Sequence, residues 1–329
     1  MKINLQLPAW AFWALGAAVL LFIGLCVYSA RRGGVRRSFF SMPYTLWMVV
    51  FTVLPCVLIA YYAFTSSASG AFTLDNFINF WDSNYTVNKM YEQLGPEYAG
   101  LITRGTVNID ILVYSLWMAL WCTLICLFLG YPAALFMADR EMRIGSTIVV
   151  LFIIPMWMNF LLRTIAWMSL LEDQGLINHL LTALGIGPVK LMYNDSAVLL
   201  GMVYNFLPFM VFPIYTSLNK LDPKLTEAAQ DLGANGVKTF WRVTMPLSAP
   251  GIISGVTMVF MPSVTTFFIP RILGGGHTMM FGDLIESMFL TANDWGVGSA
   301  LSLVMMALIL VSLGILRKAD PEGEGGGIA

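Results

Sequence analysis

Asp283 and Glu286 stand three residues apart, so a helix through them would carry both carboxyls on one face. In a stretch of mixed apolar character that dips back into the protein, such a pair suits contact with a cation. Simple exposure to solvent is the competing reading. Asn159 and Arg163 lie four apart inside a long apolar run. An arginine there is costly, and it calls for an acid or carbonyl partner that fixes the helix, or for a place lining a gate. Trp157, Tyr204, Phe267 and Phe268 could offer ring faces to a cation, although lipid belts and packed cores use the same residues. None of this is catalytic chemistry. HExxH, GxSxG and paired in-membrane carboxylates are absent, and so is GxxxxGK[ST], so the chain does not hydrolyse ATP by the P-loop route. Cys26, Cys56, Cys122 and Cys126 all fall in apolar runs without metal spacing, and His179 and His277 lack metal-type neighbours. No metal site is expected.

The elements that must position these residues are membrane helices. Of 329 residues, 58% are hydrophobic and 11% charged, against about a quarter charged in soluble domains. A span needs about 20 mostly apolar residues. Seven segments qualify, roughly 8–30, 43–65, 109–137, 145–171, 196–218, 249–270 and 298–316. The prolines inside them are tolerable where neighbouring helices satisfy the freed carbonyls. A net charge of −1 excludes nucleic-acid binding by bulk charge.

Twelve bases fall in alternate loops on one side: Arg31, Arg32, Arg36 and Arg37, then Arg140 and Arg143, then Lys220, Lys224, Lys238 and Arg242, then Arg317 and Lys318. The other side holds five: Lys2, Lys89, Arg104, Lys190 and Arg271. The richer side is the cytoplasmic one, so the N-terminus is expected outside and the C-terminus inside. The basic cluster behind segment 8–30 reads as stop-transfer, so that span is expected to be retained rather than cleaved. Eleven acids lie outside against those five bases, an excess of six, enough to concentrate cations at the entrance. Sorting bases inward would leave the same excess without any steering. The loop 66–108, with Phe72, Phe77, Phe80 and Trp81, suits a short amphipathic helix at the interface. The Gly- and Glu-rich residues 319–329 read as a disordered tail.

The loop from Lys220 to Ile252 carries the clearest local signal. Asp222 is a good N-cap and Pro223 a good first helical residue. Leu225, Ala228, Ala229 and Leu232 then share one face, and Gly233 sits where a left-handed cap would end the helix. A second short helix is expected from about Asn235 to Val243, stopped before Pro246. This loop resembles the cytoplasmic motif of the permeases of binding-protein-dependent ABC importers, EAA, three residues, Gly, nine residues, Ile-x-Leu-Pro. Here it stands as Glu227-Ala228-Ala229, Gly233 and Val243-Thr244-Met245-Pro246. The resemblance implies that the element is a coupling helix docking on an ATPase, with Glu227, Ala228, Ala229, Asp231, Gly233 and Pro246 as the coupling set.

The likeness extends over roughly 43–317. Gly130–Ala138, Ile153–Trp167, Phe206–Asp222, Ala249–Gly255, Leu273–Gly276 and Asp294-Trp295 are similar to the spermidine/putrescine permeases, the first of their two membrane subunits. That implies an all-α polytopic transmembrane bundle with the six-helix core of a type I ABC importer permease. Segment 1–37, an extra N-terminal helix and basic linker, departs from the usual six spans; 38–317 would be the permease domain with its coupling loop at 219–248, and 318–329 the tail. The implied partners are a second permease subunit, an ATPase dimer holding ATP and Mg²⁺, and an extracytoplasmic solute-binding protein, at the bacterial cytoplasmic membrane. The implied cargo is a polyamine, and the residues whose own chemistry suits its path are Trp157, Asn159, Arg163, Tyr204, Phe268, Asp283 and Glu286. An importer for another small solute is the alternative. A secondary transporter should show inverted repeats and in-membrane acids, and neither is evident.

Overall fold

Leu54 to Ala63 forms the first helix, α1, entered through a π-helical turn at Val49–Val53. It belongs to a computed structural model that describes residues 44, 47–66, 70–82, 85–86, 107–139, 152, 154–185, 187–276 and 278–319. Segment 8–30, its basic cluster, Arg140, Arg143, His277 and most of the expected tail lie outside the described residues. Further helices among the described residues are α2 (Asp75–Trp81), α3 (Val107–Ala138), α4 (Phe160–Leu171), α5 (Leu176–Ala183), α6 (Asp195–Lys220), α7 (Pro223–Asp231), α8 (Gly236–Thr239), α9 (Ala249–Thr265), α10 (Phe268–Leu273), α11 (Phe281–Leu290) and α12 (Trp295–Ala319).

Three of them are long and apolar enough to cross a membrane: Asn108–Ala138, Asp195–Lys220 and Trp295–Ile315. Many of their large apolar side chains have no protein to cover them. Phe128 is 78% exposed, Trp117 54% and Val311 62%, as expected where lipid is the solvent. Two expected spans are broken instead of continuous. The segment 145–171 is interrupted at Met158 and Asn159, and the segment 249–270 at Thr266 and Phe267. Asn159 leaves the helical conformation (ψ 129°) so that its side chain can accept from Leu161 N–H and start α4 afresh. A long apolar run fixes hydrophobicity, not helical continuity.

Two units are distinguished. One comprises Met1–Asn79 and Asp294–Leu303, the other Phe80–Asn293 and Val304–Ala329. In the first, the expected interfacial helix is present as α2, but its one buried polar residue turns inward. Asn76 Nδ2 donates to the carbonyls of Tyr62, Ala63 and Thr65, satisfying orphan acceptors at the end of α1. The second unit is built on α3, α6 and α9. Met202, Met210, Ile214, Val259, Cys122 and Cys126 fill its centre. Gly251 and Gly255, four apart on α9, let that helix lie directly on α6. A Cβ at Gly255 would stand 2.8 Å from Met210 Sδ and 3.1 Å from Met210 O, the close approach that small residues permit between membrane helices.

Candidate functional site

The coupling loop folds as helix–glycine–helix. Asp222 Oδ1 accepts from Lys224 N–H at 3.0 Å and Pro223 is the first residue of α7. At the other end Gly233 takes φ +83°. Its N–H donates to Gln230 O and that of Ala234 to Ala229 O. This pair of bonds is the Schellman closure, which needs a left-handed residue at that position. Asn235 then caps α8 by accepting from Lys238 N–H at 2.9 Å. The second helix does not stop before Pro246. A π-helical turn at Phe240–Thr244 carries it through Met245–Leu247. In a π turn the bond runs five residues back, so the N–H that Pro246 lacks is spared without ending the helix. At Ser248 the chain bends by 64° into α9.

Glu227, Ala228, Asp231, Gly233 and Pro246 are exposed, Ala229 is half-buried, and no residue of α7 is buried. Leu225 and Leu232 are 48% and 90% exposed. The element is thus rigidly capped while its apolar face stays open. Such capping removes the entropy that ordering the helix on any partner would otherwise cost.

Of the expected path residues, Trp157, Asn159, Arg163, Phe268, Asp283 and Glu286 fall on or beside the short helices near the broken spans, while Tyr204 stands in the long α6. Phe268, on α10, meets Phe160 of α4 with ring centroids 6.1 Å apart. Three residues further along α10, Arg271 Nη1 donates to both carboxylate oxygens of Glu286 on α11, at 2.6 and 2.7 Å. So α10 joins the helix of Asn159 and Arg163 to the helix of Asp283 and Glu286. Glu286 is taken up by Arg271, which leaves Asp283 as the second carboxyl of α11. Burial pushes Asp283 up to about 6; Arg271 opposes the shift and Glu286 adds to it. Tyr204 is in edge contact with Trp167 at 5.2 Å. Trp157 is 88% exposed and packs into nothing described. Asn159 serves as the cap of α4, and Arg163 is buried with no hydrogen-bond partner for its Nε among the described residues.

Asn205 escaped the sequence reading. It is buried in the middle of α6, donates Nδ2 to Gly201 O at 2.8 Å, and leaves Oδ1 without a partner among the described residues. Its signal was available, because an amide in an apolar span is costly unless it has work to do.

Residues 130–322 match the family described as binding-protein-dependent transport system inner membrane component. The spermidine/putrescine transport system permease protein PotB of Escherichia coli K12 is 36% identical over 275 residues, covering 80% of this chain and 92% of that protein. Its counterpart in Haemophilus influenzae is 33% identical over 269 residues, covering 80% and 88%. In fold, the chain is similar to a subunit of the bacterial alginate ABC transporter, crystallised in complex with an alginate pentasaccharide-bound periplasmic protein. The TM-score is 0.65 at 13% identity, over 88% of this chain and 95% of that one. With the coupling motif and the all-α polytopic fold already in place, these matches establish that the chain belongs to the binding-protein-dependent transport system inner membrane components and is a multi-pass permease subunit of an ABC importer.

Proposed function

We propose that this permease carries polyamines, spermidine or putrescine, inward across the bacterial cytoplasmic membrane, powered by ATP hydrolysis on a separate ATPase. The observation that carries the substrate reading is 33–36% identity, along four-fifths of the chain, to permeases named for spermidine and putrescine. The chemistry of α11 supports it. A polyamine is a flexible chain of positive charges, and Asp283 offers a carboxyl beside an ion pair that can exchange partners. Phe268 adds a ring within the same run of short helices.

In this reading α7 docks on the ATPase dimer, where ATP and Mg²⁺ are held. A second permease subunit completes the path, and a solute-binding protein delivers cargo from outside. The N-terminus is outside and the C-terminus cytoplasmic. Closure of the ATPase pair pushes α7, and the spans rock between inward- and outward-open states. Asp283 and Glu286 receive the cation, with Trp157, Asn159, Arg163, Tyr204 and Phe268 along its way.

The test is reconstitution of this subunit with its partner permease, ATPase and binding protein, followed by ATPase rates with and without each polyamine. Stimulation by one polyamine, lost in Glu227→Ala, is the expected result. A complex that hydrolyses ATP but responds to neither would overturn the polyamine assignment and leave an importer of another small solute.

A further inference from the structure

Two buried serine hydroxyls tie α3 to opposite ends of the transport cycle. At one end, Tyr131 Oη lies 2.8 Å from Ser248 Oγ. Ser248 Oγ donates to Met245 O at 3.0 Å, so the hydrogen between the two hydroxyls belongs to Tyr131. Ser248 is the residue at which the second helix of the loop, Gly236–Leu247, bends into α9. The Tyr131 ring also meets Phe240, in the π-helical turn, edge-on at 5.6 Å. One α3 side chain therefore grips both the turn and the bend of the coupling element.

At the other end, Phe281 N–H donates to Ser115 Oγ at 2.7 Å, and Ser115 passes its own hydrogen to Ile111 O. Phe281 is the first residue of α11, the helix of Asp283 and Glu286. Ser115, Ser248 and Phe281 are fully buried and Tyr131 is 8% exposed, so water cannot replace either contact. Positions 115 and 131 are about 24 Å apart along a helix at 1.5 Å per residue. Between them α3 is held from the side. Ser263 Oγ of α9, whose hydrogen goes to Val259 O, lies 3.6 Å from Cys122 Sγ, and Cys126 Sγ lies 3.8 Å from Val203 O of α6.

We propose that α3 is the rod that carries movement of the coupling helix to α11, with Tyr131–Ser248 and Ser115–Phe281 as its two joints. This rests on the reading that α7 docks on an ATPase. A helix resists compression along its axis, so a push at Ser248 arrives at Phe281 as a displacement. By reciprocity, a cation on α11 acts back on the coupling element. Buried hydrogen bonds are common in any fold. What singles out these two is that they join α3 to the two elements that must communicate.

The experiment uses the assembled complex with Leu290→Cys, at the exposed end of α11, in a Cys26→Ser, Cys56→Ser background. The rate of maleimide labelling is measured with and without ATP plus vanadate. The intact joints should give a change of about fivefold or more. Tyr131→Phe, which keeps the ring on Phe240, Ser248→Ala and Ser115→Ala should each cut it below about twofold, while Tyr131→Phe lowers the melting temperature by no more than a few degrees, as the loss of one buried hydrogen bond would. The double variant Tyr131→Phe, Ser115→Ala should respond no less than either single, because serial joints fail together. A full response in Tyr131→Phe and Ser248→Ala overturns the rod. So does the absence of any response in a complex that hydrolyses ATP with polyamine stimulation, an outcome that leaves the transport reading intact. A complex with no ATPase activity sinks both.

Discussion

Asp283 is the side chain whose chemistry depends most on its neighbours. Burial holds its carboxyl up to about 6, against Arg271, whose guanidinium pulls the other way while gripping Glu286. Because the pKa is raised, the charged form that would bind an ammonium is lost as pH falls through about 6 and is complete above it. Polyamine affinity of the complex should therefore weaken several-fold from pH 7.5 to 5.5, as titration calorimetry would register. Asp283→Asn should bind weakly at both values, with the slope removed. An unchanged slope in that variant would assign the titration elsewhere. Glu286 is a different case, since removing it frees Arg271. Glu286→Gln should lower transport with little change in melting temperature, because Arg271 is 55% exposed and water takes the place of the lost carboxylate.

At the scale of elements, α7 is closed at both ends by its own residues. Asp222 closes one end and the Gly233 turn the other. Gly233→Ala would place a Cβ at φ +83°, costing about 1–2 kcal/mol locally. Transport should fall while membrane insertion, read by expression in the membrane fraction, does not. Glu227→Ala leaves the caps alone and should abolish uptake by weakening docking instead. Crosslinking of α7 to the ATPase separates the two outcomes. Elsewhere α9 depends on its own small residues. Gly255→Leu must displace Met210, and overpacking of this sort costs about 1–3 kcal/mol or more, so the detergent-solubilised protein should melt several degrees lower.

For the whole molecule, charge sorting has a consequence at the entrance. The loops expected outside carry six more acids than bases by count. If that surplus gathers cations, the apparent KM for spermidine-stimulated ATPase should rise a few-fold between low salt and about 0.5 M, where the screening length falls to a few ångström. A salt-independent KM would leave the surplus as a by-product of sorting bases inward. The fold supplies a second global property. Lipid-facing side chains such as Phe128 and Val311 stay uncovered while the methionine-rich centre around Met202 and Met210 is closed.

The sequence by itself determined the membrane class, the all-α architecture, the helix from Pro223 and its Gly233 turn. Each rests on local rules: apolar length, an Asp-Pro start, a left-handed stop. It also singled out Asp283, Glu286, Arg163 and Phe268, because charge and aromatics in apolar runs are conspicuous. Only the tertiary structure decided where apolar runs break. At Asn159 a side chain replaces a backbone acceptor, and at Pro246 a π turn removes the need for a stop; hydrophobicity is blind to both. Nor could spacing reveal that Glu286 is spent on Arg271, fifteen residues away. Tyr131 with Ser248, 117 residues apart, and Ser115 with Phe281, 166 apart, were equally hidden. A hydroxyl's partner is set by which helices touch, and that is a property of packing that no local pattern encodes.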